Sequence, residues 1–308
     1  MLVVRYEEYG DPDVLVPVEV PDPSAGRGDV VVDVSATALN SVDVQLRAGK
    51  VPGRGAPPFV LGLDVCGIVT DLGEDVSGVT VGDRVVGYLS PIQGGYATKV
   101  AAPAEAFVAA PKAADDAHAA ALPLAGLTAL QALDFADVRS GQRVLIHAGA
   151  GGVGHLAVQI ASRRGAEVIT TARAENSEFL RELGAATVID YTAVDFAASV
   201  SGIDVALDLV GGDYGVRTLD TLAEGGLLVG LTLSGRVDQE RAAARGVRFA
   251  QYGLHPSRED LLTLVGMLED GSARTEVQQV FPLREAAQAH RIMETARVRG
   301  KLVLDAKA

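Results

Sequence analysis

Cysteine is nearly missing from this chain: Cys66 is the only one in 308 residues. A single thiol makes an intramolecular disulfide impossible and rules out a cysteine-rich zinc lobe. Histidine is scarce as well. Its five copies, His118, His147, His155, His255 and His290, include no close pair of the kind that holds a catalytic metal, so no metal site is expected. Basic residues are outweighed, 27 Lys and Arg against 40 Asp and Glu, which leaves a formal net charge of −13. That balance disfavours non-specific attraction to nucleic acid or anionic lipid, and neither is expected as a partner. Long apolar runs are missing too. The stretch Ala119 to Leu130 is broken by Pro123 and falls short of a membrane span. The start, Met1-Leu2-Val3-Val4-Arg5-Tyr6-Glu7-Glu8, has too short an apolar run for a signal peptide, so a cytoplasmic protein is expected. What is left, 48% hydrophobic and 22% charged, suits a globular chain of about two domains.

Glycine, by contrast, is plentiful at 35 copies, and one run of it has a telling context. His147-Ala148-Gly149-Ala150-Gly151-Gly152-Val153-Gly154 follows the apolar Val144-Leu145-Ile146 and precedes a helical pattern from Val153 to Arg164. Strand, glycine turn and helix in that order form a dinucleotide-binding fingerprint, here Gly149-x-Gly151-x-x-Gly154. Gly149 is expected to permit the tight turn. Gly151 would let the backbone approach a pyrophosphate where a Cβ would collide, and Gly154 would let the helix pack on the strand. Gly152 and Val153 lie in the same turn, and the helix start offers N–H groups and partial positive charge to phosphates. A turn that merely connects strand to helix is the plainer alternative; the flanking elements favour binding.

The chain before residue 112 reads as β-rich. Val30 to Val34, Val60 to Val69 and Val79 to Gly87 are strand runs punctuated by glycine, a pattern of a curled antiparallel sheet. From Arg143 strands and helices alternate. Strands are expected at Val144–Ile146, Glu167–Thr171, Thr187–Ile189, Ile203–Leu209, Leu227–Leu231 and Val247–Gln251. Helices are expected between them at Ser177–Leu183, Val194–Val200 and Tyr214–Leu222. Such alternation specifies a doubly wound parallel sheet. Leu231, at the end of the fifth strand, joins the candidate cofactor contacts. The tail, with a helix from Arg258 to Glu269, a strand Val277–Phe281, a helix from Leu283 to about Arg297 and a strand Lys301–Leu304, breaks the alternation and suits a return to the first domain.

The second strand bears on which dinucleotide is bound. An NAD site usually carries an acid at the end of that strand to accept the ribose 2′-hydroxyl. Here the strand ends Thr170-Thr171-Ala172-Arg173, while Glu167 lies at its start and Glu175 beyond the loop. A 2′-phosphate would welcome Arg173 and be repelled by a carboxylate, which points to NADPH, with Thr171 and Arg173 as contacts.

Several stretches then form a set: Asn40-Ser41-Val42-Asp43 with Arg47-Ala48-Gly49, Gly62-Leu63-Asp64-Val65 with Gly67, Val81-Gly82-Asp83-Arg84-Val85, Gly94-Gly95-Tyr96-Ala97, Ala121 to Ala129, and Arg299-Gly300-Lys301-Leu302-Val303. With the glycine turn, the chain resembles the zinc-independent quinone oxidoreductase branch of the medium-chain dehydrogenase/reductase superfamily from end to end. The resemblance implies a Rossmann doubly wound parallel sheet inserted in a β-rich, GroES-like catalytic domain: residues 1–114 and 255–308 around a nucleotide domain of 115–254. It implies a cleft at their junction and a homodimer paired through the edge of the nucleotide sheet. It places Asn40 and Asp43 on a cleft-facing segment, Thr128 where a hydroxyl meets the cofactor, Tyr191 by the adenosine phosphate and Lys301 in a C-terminal turn near the cofactor. From the residues alone, Asn40 also reads as the cap of a helix starting at Ser41, and Asp43 with Arg47 as an i, i+4 surface pair.

Zinc-dependent relatives carry a cysteine near Asn40 and a histidine near Leu63; this chain has neither ligand. Without a Lewis acid to ionise an alcohol, the expected chemistry is hydride delivery to an electron-poor acceptor, a quinone or an α,β-unsaturated carbonyl compound. Enoyl-thioester reductases of the superfamily carry a tyrosine shortly after the Asn…Asp segment, where this chain reads Gly49-Lys50-Val51-Pro52-Gly53. Tyr88 and Tyr252 are the remaining candidates to line the cleft and donate to a carbonyl oxygen. Two other functions stay open at this point: an NADPH-binding sensor or scaffold with vestigial activity, and a reductase of carrier-bound enoyl thioesters.

Overall fold

The computed structural model describes residues 1–51, 55–91, 93–232, 237 and 239–308. In chain order the first elements are β1 (Leu2–Tyr6), β2 (Val16–Glu19), β3 (Asp29–Ala38), α1 (Ser41–Arg47), β4 (Phe59–Val60), β5 (Asp64–Leu72), β6 (Arg84–Tyr88), β7 (Lys99–Pro103), β8 (Phe107–Ala109), α2 (Asp116–Ala120) and α3 (Pro123–Phe135). Then come β9 (Arg143–Ile146), α4 (Gly154–Arg163), β10 (Glu167–Ala172), α5 (Ser177–Glu182), β11 (Thr187–Asp190), α6 (Phe196–Ser199), β12 (Ile203–Asp208), α7 (Tyr214–Thr218), β13 (Leu222–Gly230), α8 (Gln239–Ala244) and β14 (Arg248–Gln251). The chain closes with α9 (Arg258–Glu269), β15 (Val277–Pro282), α10 (Ala286–Glu294) and β16 (Lys301–Asp305). Two compact units result, Met1–Leu124 with Pro256–Ala308, and Ala125–His255. Among the described residues no helix is long and apolar enough to cross a membrane.

The first unit is built around β3. Its ten residues pair antiparallel with β5, β7 and β16, so the C-terminal strand closes against a strand from the beginning of the chain. The sheet runs β15-β16-β3-β5-β6-β8, with β2-β1-β4 as a smaller sheet. Val30, Val32 and Val34 of β3 share a core with Val65, Val69, Phe281, Leu302 and Leu304. Such β-branched and aliphatic side chains fit a pleated, buried surface. The Leu39 N–H bonds to the Leu302 carbonyl at 2.9 Å, which fixes the chain just before Asn40 relative to the strand that carries Lys301.

The second unit is a six-stranded sheet in the order β11-β10-β9-β12-β13-β14, every pairing parallel. The order reverses between β9 and β12, the switch point at which doubly wound sheets bind ligands. Val144, Leu145, Ile146, Val168 and Ile169 are buried, the near-continuous apolar reading of strands covered on both faces. Among the helices shorter than their sequence patterns are α7 and α10. α7 stops at Thr218 and Leu222 already starts β13, because the Thr221 hydroxyl donates to the Thr218 carbonyl at 2.8 Å and closes the helix early. α10 ends at Glu294, with Ala296 left-handed at φ 54°.

Candidate active site

Chemistry-bearing residues gather in two groups, one in each unit. In the second unit the turn after β9 departs from the simplest fingerprint in one respect: its left-handed residue is Ala148, at φ 51°, and not Gly149. The need for glycine at 149 comes from below, since a Cβ there would lie 1.9 Å from Thr170 Oγ1 on β10. At 154 a Cβ would lie 2.2 Å from the Ala148 carbonyl oxygen, so the turn's own backbone, more than the strand, demands that glycine. Gly151 differs from both. A Cβ there would meet only the Ala148 oxygen, at 3.2 Å, leaving the open side that a pyrophosphate requires. Gly151, Gly152 and Val153 are half-buried, and Val153 is already helical at φ −80° and ψ −41°.

Thr171 is enclosed beneath this turn. Its carbonyl accepts the Gly149 N–H at 3.1 Å and its hydroxyl accepts the Ala148 N–H at 3.2 Å, so the side chain shapes the turn instead of facing outward to a ribose. Arg173, just past β10, is half-buried, and its Nε is enclosed without a hydrogen-bond partner. Its charge is felt by Asp190, at the end of the neighbouring β11, whose carboxyl is held low first by hydrogen bonds from Thr192 and then also by Arg173. Glu167, at the opposite end of β10, is ion-paired with Arg143 at 3.3 Å. Tyr191 is 38% exposed, with its N–H on the Ala172 carbonyl at 3.3 Å. Leu231 is half-buried, and its N–H meets the Asp208 carbonyl at 3.0 Å. Thr128 is buried in α3. Tyr252 packs its ring on Phe135 at 4.9 Å, and its hydroxyl lies 3.4 Å from His255 Nδ1.

In the first unit Asn40, Asp43 and Lys301 come together, joined by Asp64. Asn40 precedes α1, and the Asp43 carboxylate accepts the Asn40 N–H at 2.8 Å and the Gly62 N–H at 3.1 Å. The Asn40 side-chain amide is a bridge. Its Nδ2 donates to Asp64 Oδ2 at 2.9 Å, and its Oδ1 accepts from the Lys301 ammonium. Lys301 Nζ is also 3.4 Å from Asp64 Oδ2, whose partner oxygen accepts the Leu124 N–H at 2.8 Å. All four residues are buried. Burial disfavours charge, so it pushes Asp43 up to about 6, raises Asp64 and lowers Lys301, while the mutual attraction of Lys301 and Asp64 resists both shifts. A lysine so placed releases a proton more readily than a solvated one. Tyr88 stands opposite Asp64 across the β5–β6 ladder, its phenol pushed up to about 12 by burial and by the nearby carboxylates. It therefore stays protonated, a donor.

Asp43 and Arg47 do not form the surface pair that their spacing suggests. Both are sealed in, and Arg47 turns away to Glu294, to the Gly10 carbonyl at 3.0 Å and to His290 Nδ1 at 3.4 Å. The far side of that imidazole, Nε2, lies 3.1 Å from the Tyr96 hydroxyl, which also bonds to Asp43. Arginine only donates, so Nδ1 accepts and Nε2 carries the proton; Tyr96 accepts from Nε2 and donates to Asp43. Asp64, Tyr96 and His290 had no part in the sequence-based site. Asp64 and Tyr96 stood inside the matching stretches without a chemical signal of their own, and His290 is an isolated histidine. Pro52 and Gly53, in the neighbourhood without a tyrosine, lie outside the described residues.

Among the described residues no group of three or more His, Cys, Asp or Glu is placed to hold a metal ion. Cys66 is sealed in β5, its thiol pushed up to about 12 by burial.

Known proteins resemble the chain over its whole length. The alcohol dehydrogenase GroES-like domain matches residues 26–112, and the zinc-binding dehydrogenase family matches residues 183–304. A 2-haloacrylate reductase from Burkholderia sp is 35% identical, over 96% of each chain. The structure of a quinone oxidoreductase from Coxiella burnetii superposes with a TM-score of 0.94 at 39% identity, covering 99% of both chains. The Escherichia coli quinone oxidoreductase complexed with NADPH superposes with a TM-score of 0.92 at 29% identity, over 99% of this chain and 100% of that one.

Proposed function

The chain belongs to the medium-chain dehydrogenase/reductase superfamily, and from that premise we propose an NADPH-dependent reductase of quinones or α,β-unsaturated carbonyl compounds that works without zinc. The observation that carries this reading is the state of Asn40. Near the position where zinc-dependent relatives carry a cysteine, its amide is engaged on both sides, by Asp64 and by Lys301. The donor set there is an amide, a carboxylate and an ammonium, which suits proton handling better than a soft divalent metal.

NADPH, when bound, supplies the hydride. The chain's own part begins with holding the dinucleotide. Gly151, Gly152, Val153 and Gly154 present backbone N–H groups and the start of α4 to the pyrophosphate, with Gly149 giving the turn its closeness to β10. Arg173 answers the 2′-phosphate, since a buried guanidinium Nε without a partner gains a charge-assisted hydrogen bond when phosphate arrives. Thr128, Tyr191 and Leu231 border the same ligand, and Tyr252 walls the acceptor. A quinone or enone that has taken a hydride carries new negative charge on oxygen. Lys301, lowered by burial and linked to Asn40 and Asp64, supplies the compensating proton, and Tyr88 donates a hydrogen bond. Asp43 holds the Asn40 backbone in place for this. In the same reading, two copies pair through an edge of the nucleotide sheet, whose outer strands are β11 and β14.

The test is consumption of NADPH by the purified protein over a panel of quinones, enones, haloacrylates and a carrier-bound enoyl thioester. Turnover with quinones or enones is the expected result. Turnover confined to the thioester would replace the substrate assignment, and NADPH binding without any turnover would favour a sensor.

A further inference from the structure

The histidine that opens the glycine run carries an inference beyond phosphate binding by the turn. We propose that His147 is a positioning residue for the dinucleotide: locked in one tautomer between Thr171 and Thr218, it holds the left-handed Ala148 turn in its receptive shape and ties that shape to helix α7. The proposal rests on the cofactor assignment above.

The hydrogen-bond directions follow from what each atom can do. The Thr218 hydroxyl donates to the Tyr214 carbonyl at 2.7 Å, and a carbonyl only accepts, so the one Thr218 proton is spent there. At 2.8 Å from His147 Nε2, Thr218 Oγ1 must therefore accept, and Nε2 carries the ring proton. Nδ1 is then bare and accepts from the Thr171 hydroxyl at 3.2 Å. With its proton committed to the ring, Thr171 Oγ1 receives the Ala148 N–H at 3.2 Å. The result is a single directed chain: Ala148 N–H to Thr171, Thr171 to His147, His147 to Thr218, and Thr218 to the α7 backbone.

Its surroundings keep that chain in one state. His147, Thr171 and Thr218 are buried. Phe196 and Tyr214 meet the imidazole edge to face at 4.6 and 5.1 Å, and the Arg217 guanidinium sits 4.5 Å above the Phe196 ring. Burial, with the Arg217 charge second, pushes His147 down to about 3, so the ring stays neutral across the working range of pH. A doubly protonated ring would need acceptors on both sides and would turn the hydroxyl proton of Thr171, the partner of the Ala148 N–H, away from Nδ1. Ala148 needs that partner, because a left-handed alanine is strained and persists only where its surroundings over-determine it. The same Thr171 also fixes Gly149 through its carbonyl, so both residues that lead into the phosphate turn hang on one threonine and its histidine.

The experiment measures the NADPH dissociation constant from nicotinamide fluorescence, together with thermal unfolding, for wild type and for His147→Phe, Thr218→Val, Thr171→Val and Thr171→Ser, far enough below each melting point that the protein is folded. Loss of the chain at any member is expected to weaken NADPH binding about tenfold in His147→Phe and Thr171→Val and several-fold in Thr218→Val. Thr171→Ser, which keeps the hydroxyl, should stay within about twofold of wild type. Folded variants that melt earlier yet bind NADPH as wild type does would overturn the proposal, since a purely structural role predicts that pattern. If His147→Phe does not fold, the Thr171 valine–serine pair decides by itself. Wild-type protein that fails to bind NADPH would remove the cofactor assignment and the proposal with it.

Discussion

Two of the buried imidazoles should make the fold sensitive to acid in a way that a single substitution can isolate. His147 and His290 are each pushed down to about 3 by burial, with Arg217 and Arg47 as second causes. A histidine in the unfolded chain titrates near about 6.5. Below that pH the unfolded chain takes up a proton that the folded chain refuses. The stability is therefore complete above pH 6.5 and drains away as the pH falls toward 3. From 6.5 down to 5 is roughly one and a half pH units at about 1.4 kcal/mol each, or about 2 kcal/mol for each imidazole. Asp43 works in the other direction. Raised to about 6 by burial, it takes up a proton in the folded state first and returns about 1.4 kcal/mol at pH 5. Asp64, also raised, has the same sign. The wild-type curve alone is thus a composite. His290→Gln removes one imidazole while leaving groups that can still face Arg47 and Tyr96. Urea unfolding at pH 8 and at pH 5 should show the variant less stable than wild type at pH 8, but losing about 2 kcal/mol less on acidification. Parallel losses in the two proteins would refute the claim that His290 is held neutral by its burial.

Other outcomes follow from the same geometry. Arg173→Asp should raise the Michaelis constant for NADPH much more than that for NADH; equal changes, or none, would remove the main support for a 2′-phosphate at this position. Lys301→Met leaves Asp64 buried beside a lost cation and should destabilise by about 3–5 kcal/mol, whereas Lys301→Met with Asp64→Asn should recover most of that in a chemical denaturation series. Gly149→Ala forces a Cβ against Thr170 Oγ1 and should cost more than about 1 kcal/mol while weakening NADPH binding; an alanine protein matching wild type in both would show that the turn relaxes freely. Cys66 should resist a thiol reagent in the native state and react once urea unfolds the chain, given its burial and a thiol pushed up to about 12.

What was legible in the sequence follows the range of the interactions. The glycine turn, its strand and its helix are contiguous, and the β-α alternation after Arg143 is a local pattern, so fold class and turn were readable together. The inserted arrangement became readable because the tail broke that alternation. The buried cluster was not readable from spacing. Asn40 meets Asp64 across 24 residues and Lys301 across 261, and no periodicity links them. The spacing of Asp43 and Arg47 even pointed the wrong way: i, i+4 on a short helix suggests a solvated pair, but the Gly62 backbone, Tyr96 and α10 enclose both residues and split them between different partners. The left-handed residue in the turn was hidden for a related reason. Composition favours Gly149 for that role, and it is the bonds that the Ala148 and Gly149 N–H groups donate to Thr171 that explain why Ala148 takes it.

The central claim is hydride delivery from NADPH to an activated double bond without zinc. The most direct measurement uses NADPH carrying deuterium at its transferable position, an α,β-unsaturated ketone as acceptor and a strong zinc chelator throughout, with the product examined by NMR. Deuterium on the carbon β to the carbonyl, at a rate indifferent to the chelator, is the result this account predicts. Deuterium on the carbinol carbon, or turnover that stops when zinc is removed, would contradict it.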